Sequence, residues 1–230
     1  MKKLSVIMPV YNEEETVAKA IDRSLSVDLD GIDIEVVVVD DGSDDESPEI
    51  LKRYSDNDGV KVFTHAENQG KGMAIRTALE HVSGDMVIIE DADLELDSFE
   101  YPNLIKPILE DRADVVFGSR FKGSVQNMHW ANWLANRILS FVTSVLYFKR
   151  VSDEATCYKV FRTEIIKSFD LQCTGFEFCP EVTAKALKNG YRYTEVPIHF
   201  YGRTVHGGKK IRTWDAFVAI YTLLKYRFRD

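Results

Sequence analysis

Asp91 and Asp93, with only Ala92 between them, close a short apolar run, and Glu95 follows. In an extended segment alternate side chains share a face. That spacing turns both carboxylates, with Glu95 after them, to one side, where oxygen donors suit a hard cation such as Mg²⁺ or Mn²⁺. Acidic loops are also commonly plain solvated turns, so the surroundings matter. More acid closes other apolar runs. PVYNEEE carries Pro9, Tyr11 and Glu13, and DDGSDDES opens with Asp40 and Asp41. A pocket lined in this way repels a nucleoside diphosphate unless a divalent cation lies between them. Lys71, in NQGKG at 68–72, stands where a Gly-rich turn opens a helix; there it can meet a phosphate or simply begin the helix. Neither GxGxxG nor GxxxxGK[ST] occurs, which argues against the usual dinucleotide fold and against a P-loop kinase or ATPase.

The elements that must position these residues read as an α/β fold with a largely parallel sheet. Short β-branched runs at 4–8, 34–39, 60–64, 86–90 and 114–118 predict strands, and longer stretches at 13–26, 47–55 and 70–82 predict crossover helices. Ser47 followed by Pro48 fits an N-cap and first turn. In open parallel sheets ligands bind at the carboxyl ends of the strands, and those are the ends that are acidic here. Beyond residue 120 the pattern changes. Ile138, Phe141, Val142, Val145 and Leu146 recur as one apolar helix face. A helix across 179–190 closes with Gly190, a strand follows at 191–200, and the last helix sets Trp214, Phe217, Val218, Tyr221, Leu224 and Phe228 on one stripe. With no linker, repeat or low-complexity tract, residues 1–230 read as one domain with a helical C-terminal elaboration.

Composition narrows the function classes. At 230 residues, 45% hydrophobic and 29% charged, the chain can bury a sizeable core, and disorder is excluded as its main state. A net charge of -8 gives no general reason to seek nucleic acid. The apolar run at 138–148 is too short for the roughly 20 residues of a bilayer span. Three cysteines without a CxxC pair suggest reduced thiols, and the N-terminus lacks a signal peptide's apolar region, so a cytoplasmic location is expected.

IMPVYNEEE, VVDDGSDDES, NQGKGMAIRTAL, EDADLELD and GSRF, in that order and spacing, resemble family 2 glycosyltransferases of the GT-A fold. The second half, with NRILS, SDEATCYKVFR, GFEFCPEVTAKALKNGYRYTEVPIHFYGR and GGKKI, looks like the branch containing dolichyl-phosphate mannose synthase and related polyprenyl-phosphate sugar transferases. The resemblance covers nearly the whole chain. It implies a Rossmann-like, mostly parallel sheet flanked by helices. Residues 1–120 would bind a nucleotide sugar, GDP-mannose or a UDP-sugar, and 121–230 a polyprenyl or dolichyl monophosphate.

Carried over residue by residue, the resemblance assigns Pro9, Tyr11, Glu13 and Asp41, with Asp40 beside it, to the nucleoside; Tyr11 is alternatively a core residue. Asp91 and Asp93 match the metal-binding DxD, while direct ligation by Glu95 stays open. Arg120 in GSRF can take an acceptor phosphate in bidentate fashion. Arg137 is either a second clamp or a surface arginine. Arg203 with Lys209 and Lys210 look like a mobile basic segment closing over phosphate. The implied reaction is a metal-dependent, inverting hexosyl transfer. A hydroxyl acceptor would instead need a base, with Asp153 in SDEAT as the nearest candidate. A non-catalytic nucleotide-sugar-binding subunit is the alternative from another class, and a nucleotidylyltransferase ranks last. Residues 199–230 hold seven Lys and Arg against two Asp, a local net of +5. That end can lie peripherally on an anionic membrane or pack on its own core with a basic edge.

Overall fold

A computed structural model describes residues 2–202 and 213–229. Seven strands form one sheet: β1 (Lys3–Val10), β2 (Asp33–Asp40), β3 (Val60–Thr64), β4 (Met86–Ile89), β5 (Val115–Gln126), β6 (Lys159–Arg162) and β7 (Tyr193–Tyr201), in the spatial order β3-β2-β1-β4-β6-β5-β7. β1, β2, β3 and β4 pair in parallel, as do β5 and β7, whereas β6 is antiparallel to both neighbours. The sheet is thus mixed but mostly parallel, as expected. β1, β2 and β4 are covered on both faces, which is why they read as unbroken apolar runs. β5 runs well past residue 118, because its pairing with β7 resumes at Ser124 after an irregularity following Ser119. Residue 120 therefore falls inside a strand.

On the first part of the sheet lie α1 (Val17–Leu25), α2 (Ser47–Leu51), α3 (Lys71–His81) and α4 (Tyr101–Leu109). α1 begins later than expected because residues 13–16 form a turn in which Glu13 O accepts from Thr16 N and Val17 N. Ser47 is the first residue of α2 and not its cap. Glu46 holds the cap position, Asp45 accepts from Ser47 N, and Ser47 Oγ accepts from Glu13 N at 3.0 Å. The serine thus ties α2 to the loop after β1.

α5 (Trp130–Tyr147), α6 (Thr163–Ser168), α7 (Phe178–Lys188) and α8 (Thr213–Phe228) complete the molecule. Leu139 and Tyr147 of α5, Ala184 and Leu187 of α7, and Ala219, Leu223 and Tyr226 of α8 make a second, smaller core. The apolar spacing locates α5 and α8, yet the stripes that reveal them face outward. Ile138 is 49% exposed, Phe141 68% and Val145 55%, and on α8 Tyr221 is 64% and Phe228 78% exposed. The opposite faces are the buried ones. Among the described residues no helix is long and apolar enough to cross a membrane.

Candidate active site

The loops after β1 and β2 meet at one end of the sheet, where Val10 pairs with Asp40. Pro9 is the penultimate residue of β1, Tyr11 is half-buried, and Asn12 turns the chain at φ +54°. Asn12 accepts from Asp44 N and donates to its carboxylate, which binds the two loops together. Glu13 is buried and accepts from the Thr16 hydroxyl. Of the two aspartates, Asp41 has both oxygens engaged. Oδ1 lies 2.7 Å from His65 Nδ1 and accepts from Gln69 N, and Oδ2 accepts from Gly70 N. Asp41 therefore holds the turn into α3. Asp40 Oδ1 accepts from Ser43 N, and its buried Oδ2 has no hydrogen-bond partner among the described residues. A buried acceptor left in this way costs about 1–3 kcal/mol. Asp40 is accordingly the carboxylate with capacity for an incoming donor.

At the end of β4, Asp91 and Asp93 lie in a turn and not in an extended run: Leu94 has φ +61° and Asp93 Oδ1 accepts from Glu95 N. Ala92 is buried beneath. Lys71, the first residue of α3, places its ammonium 2.5 Å from Asp91 and 3.5 Å from Cys157 Sγ. Burial opposes the lysine's charge, but Asp91 outweighs it and holds the ammonium well above its ordinary range. The lysine on the Gly-rich turn and the first aspartate of the pair, 20 residues apart in sequence, thus share one place. Behind them Glu90 accepts from Ser24, Ser98 and Tyr158, and burial pushes its carboxyl up to about 7.

No three His, Cys, Asp or Glu side chains are gathered at metal-binding spacing among the described residues, so Glu95 does not complete a triad with Asp91 and Asp93 as they stand. The aspartate pair nonetheless fits a hard divalent ion of the kind that takes one or two carboxylates from protein and the rest from substrate phosphates.

Arg120 is buried on β5, where the strand's pairing with β7 is interrupted. Its Nε and Nη2 each donate to Asp153 at 2.7 Å, and its backbone N donates to Asp153 Oδ2. Burial works against the guanidinium charge, and Asp153 and then Glu95 restore it beyond its usual range. Asp153 is fully buried, with both oxygens on this arginine. Arg137, on α5, stacks 5.2 Å over the Phe121 ring, and Arg120 approaches the same ring at 5.9 Å. The two arginines, Phe121 and Trp133 line one cleft of about 330 Å³. Arg203, Lys209 and Lys210 lie outside the described residues.

Several residues around the site were not singled out from sequence. Glu195 on β7 accepts from Ser152 N and Oγ and Asp153 N, and pairs with Lys122, fixing the loop that carries Asp153. Buried Lys159 donates to the carbonyls of Glu154 and Thr156 in that same loop. His65 bridges Asp41 and Thr77. Its position just after β3 is a signal the strand-end rule could have used. Nothing local marks Glu195 or Lys159.

An open, mostly parallel sheet with an acidic turn after its central strand and a C-terminal layer of helices is the architecture of solved glycosyltransferases. The chain superposes on glucosyl-3-phosphoglycerate synthase from Mycobacterium tuberculosis, crystallised with Mn²⁺, UDP and glucosyl-3-phosphoglycerate, with a TM-score of 0.77 at 20% identity, covering 100% of this chain and 81% of that one. With Staphylococcus aureus TarS the TM-score is 0.65, over 99% and 72% of the two chains. These likenesses establish the GT-A fold. The chain belongs to glycosyl transferase family 2, whose model matches residues 5–169. Curated relatives include a dolichol-phosphate mannosyltransferase of Pyrococcus furiosus, 29% identical over 97% of this chain and 64% of that protein. Others are the low-salt glycan biosynthesis hexosyltransferase Agl6 of Haloferax volcanii, at 31% over 87% and 48%, and an undecaprenyl-phosphate 4-deoxy-4-formamido-L-arabinose transferase of Edwardsiella ictaluri, at 29% over 96% and 66%. The chain spans about half to two thirds of the length of these relatives.

Proposed function

We propose that this chain is a metal-dependent, inverting glycosyltransferase that moves a hexose from a nucleoside diphosphate sugar to a polyprenyl monophosphate, working peripherally at the cytoplasmic face of a membrane. The observation that carries this reading is the cleft in which Arg120, held through Nε and Nη2 by Asp153, and Arg137 converge on Phe121: two guanidinium charges set beside one another where a phosphate could lie, with aromatic walls beside the outward apolar face of α5. Family membership and the names of the polyprenyl-phosphate relatives support it.

In this reading Pro9, Tyr11, Glu13 and Asp40 hold the nucleoside, with Asp41 fixing the turn that brings Lys71 to the diphosphate. Arg203, Lys209 and Lys210 are assigned to the phosphates from sequence alone. Bound by Asp91 and Asp93, with Glu95 beside them, Mg²⁺ or Mn²⁺ would supply positive charge to the departing diphosphate. Lys71 would exchange its pairing with Asp91 for the phosphate oxygens. An acceptor monophosphate has a second pKa near ~6 and is already anionic at neutral pH, so alignment by Arg120 and Arg137 replaces a general base. Direct attack inverts the anomeric carbon. A sugar or protein hydroxyl would require a base, and the candidate, Asp153, has both oxygens committed to Arg120. That commitment favours the phosphate acceptor.

The test incubates the purified chain with Mn²⁺, radiolabelled GDP-mannose or UDP-sugars and a polyprenyl phosphate. Label is expected in the organic phase, and Asp93→Ala is expected to lower its rate at least ~100-fold. Label appearing only on a soluble acceptor, or full activity in Asp93→Ala, overturns the proposal. Turnover without partners rules out a mere binding subunit.

A further inference from the structure

Glu154 lies directly behind the Arg120–Asp153 pair, and no step above uses its carboxyl. The residue is fully buried, and neither carboxyl oxygen has a hydrogen-bond partner among the described residues. The donors that face it are committed elsewhere. On α7 the Thr183 hydroxyl gives its proton to Cys179 O at 2.8 Å, and on α5 the Ser140 hydroxyl gives its own to Asn136 O. Of the nearby phenols, Tyr147 on α5 donates to Leu223 O and Tyr193 on β7 donates to Glu195. Lys159, on β6, donates to the carbonyls of Glu154 and Thr156 and sets its ammonium 4.4 Å over the Phe117 ring. On β5, Arg120 turns Nε and Nη2 to Asp153. From α8, Arg227 lies 5.8 Å over the Tyr147 ring. The buried Thr156 hydroxyl has no partner among the described residues either, so it does not reach the carboxyl.

A buried carboxylate that receives no hydrogen bond takes up a proton instead of keeping its charge. As a neutral acid the group needs no donor. It carries its own hydrogen, and Thr183 Oγ, with its proton spent, has lone pairs left to accept it. Burial pushes the Glu154 carboxyl up, and the positive charge of Lys159 beside it does not offset this. The charges around it give the proton a consequence. Arg120, Lys122 and Lys159 stand against Asp153 and Glu195, so with Glu154 neutral the cluster keeps one surplus positive charge. An ionised Glu154 would cancel it. Arg120 is the member of the cluster that lines the cleft.

We propose that Glu154 is a positioning residue that works as a neutral acid: by keeping its proton it leaves the surplus positive charge at Arg120 for an anion in the cleft, and losing the proton weakens that clamp. The neutral acid stands on burial and on where the surrounding hydrogen bonds go; that the anion is an acceptor phosphate rests on the function proposed above.

Folding reports the proton without any substrate. Glu154→Gln keeps the side chain's shape and cannot ionise. A carboxyl held above its unfolded value of 4.5 costs wild type more stability as pH rises past that value. In urea unfolding, the folding constant of Glu154→Gln relative to wild type is therefore expected to rise between pH ~5 and ~7.5, by up to about 10-fold per unit. The slope decides, whatever the offset between the two proteins. A flat ratio, or one that falls with pH, overturns the proposal, since Glu154 is then charged in the folded protein. Glu154→Met, which has no amide to satisfy, is expected to give the same slope and decides the matter if the glutamine variant does not fold. With a polyprenyl phosphate acceptor, wild-type KM for the acceptor is expected to rise at least ~3-fold between pH ~7 and ~9 while KM for the nucleotide sugar holds, and Glu154→Gln is expected to show no such rise. No rise in wild type, or one shared by the variant, overturns the role at the clamp. The expected folding slope without any lipid-linked product upholds the neutral acid and overturns the proposed acceptor.

Discussion

Asp153 and Arg120 form a buried ion pair whose members depend on each other. Arg120→Ala leaves a fully buried carboxylate without its partner, and breaking such a pair costs about 3–5 kcal/mol. A correspondingly lower urea midpoint is expected, with much of the loss recovered in the double variant Arg120→Ala, Asp153→Ala. The pairing also explains what was and was not readable at this scale. Asp91, Asp93 and Lys71 were visible because their meaning is local: a two-residue spacing and a Gly-rich turn. The role of Asp153 was not, because a carboxylate in a loop becomes a tether or a base according to a partner 33 residues away. Asp41 is the same case. Its sequence position beside Asp40 gives equal claim to the nucleoside, and only the folded loop at 65–70 shows that its oxygens are already occupied.

Two joints decide how the elements hold the site. Glu35 on β2 accepts from Ser5 on β1 and from Ser83 N and Oγ before β4, and pairs with Lys3 and with Lys61 on β3. Burial pushes its carboxyl up, but these partners outweigh that and hold it well below the usual carboxylate range. A depressed pKa stabilises the fold above the unfolded value of 4.5, and the contribution is lost as pH falls below it. Glu35→Gln should therefore be less stable than wild type at pH 7 by about 2–3 kcal/mol, and thermal melts should show the gap closing toward pH 3. Gly70 is the other joint. It has φ +98°, and a Cβ there would lie 2.5 Å from the carbonyl oxygen of Thr174. Gly70→Ala is expected to destabilise by about 1–3 kcal/mol and to raise KM for the nucleotide sugar, since it displaces the turn carrying Lys71. Strands were legible from β-branched runs because burial on both faces leaves few alternatives. The outward stripes of α5 and α8 were legible as stripes only, since periodicity reports that one face differs and is silent on what lies against it.

Taken whole, the molecule has a large sheet core and a second core under α5, α7 and α8. Leu223→Ala, at a fully buried position in the second, should cost about 2–5 kcal/mol in denaturant unfolding. Because α5 carries Arg137, KM for the acceptor should rise while nucleotide affinity holds, which acceptor titration beside nucleotide binding would show. The uneven distribution of charge belongs to this scale too: acid gathers at the strand ends, and the basic excess lies in the last 32 residues. Sheet order has a consequence for how the chain is made. β1 to β4 can pair as soon as they leave the ribosome, but β5 has β6 and β7 as its only strand neighbours in the sheet, and both come later in the chain. Until the four residues of β6 insert, β4 and β5 each present a bare edge, the kind of surface on which nascent chains aggregate. Ribosome-bound chains ending before Lys159 are the ones that would call most on chaperones.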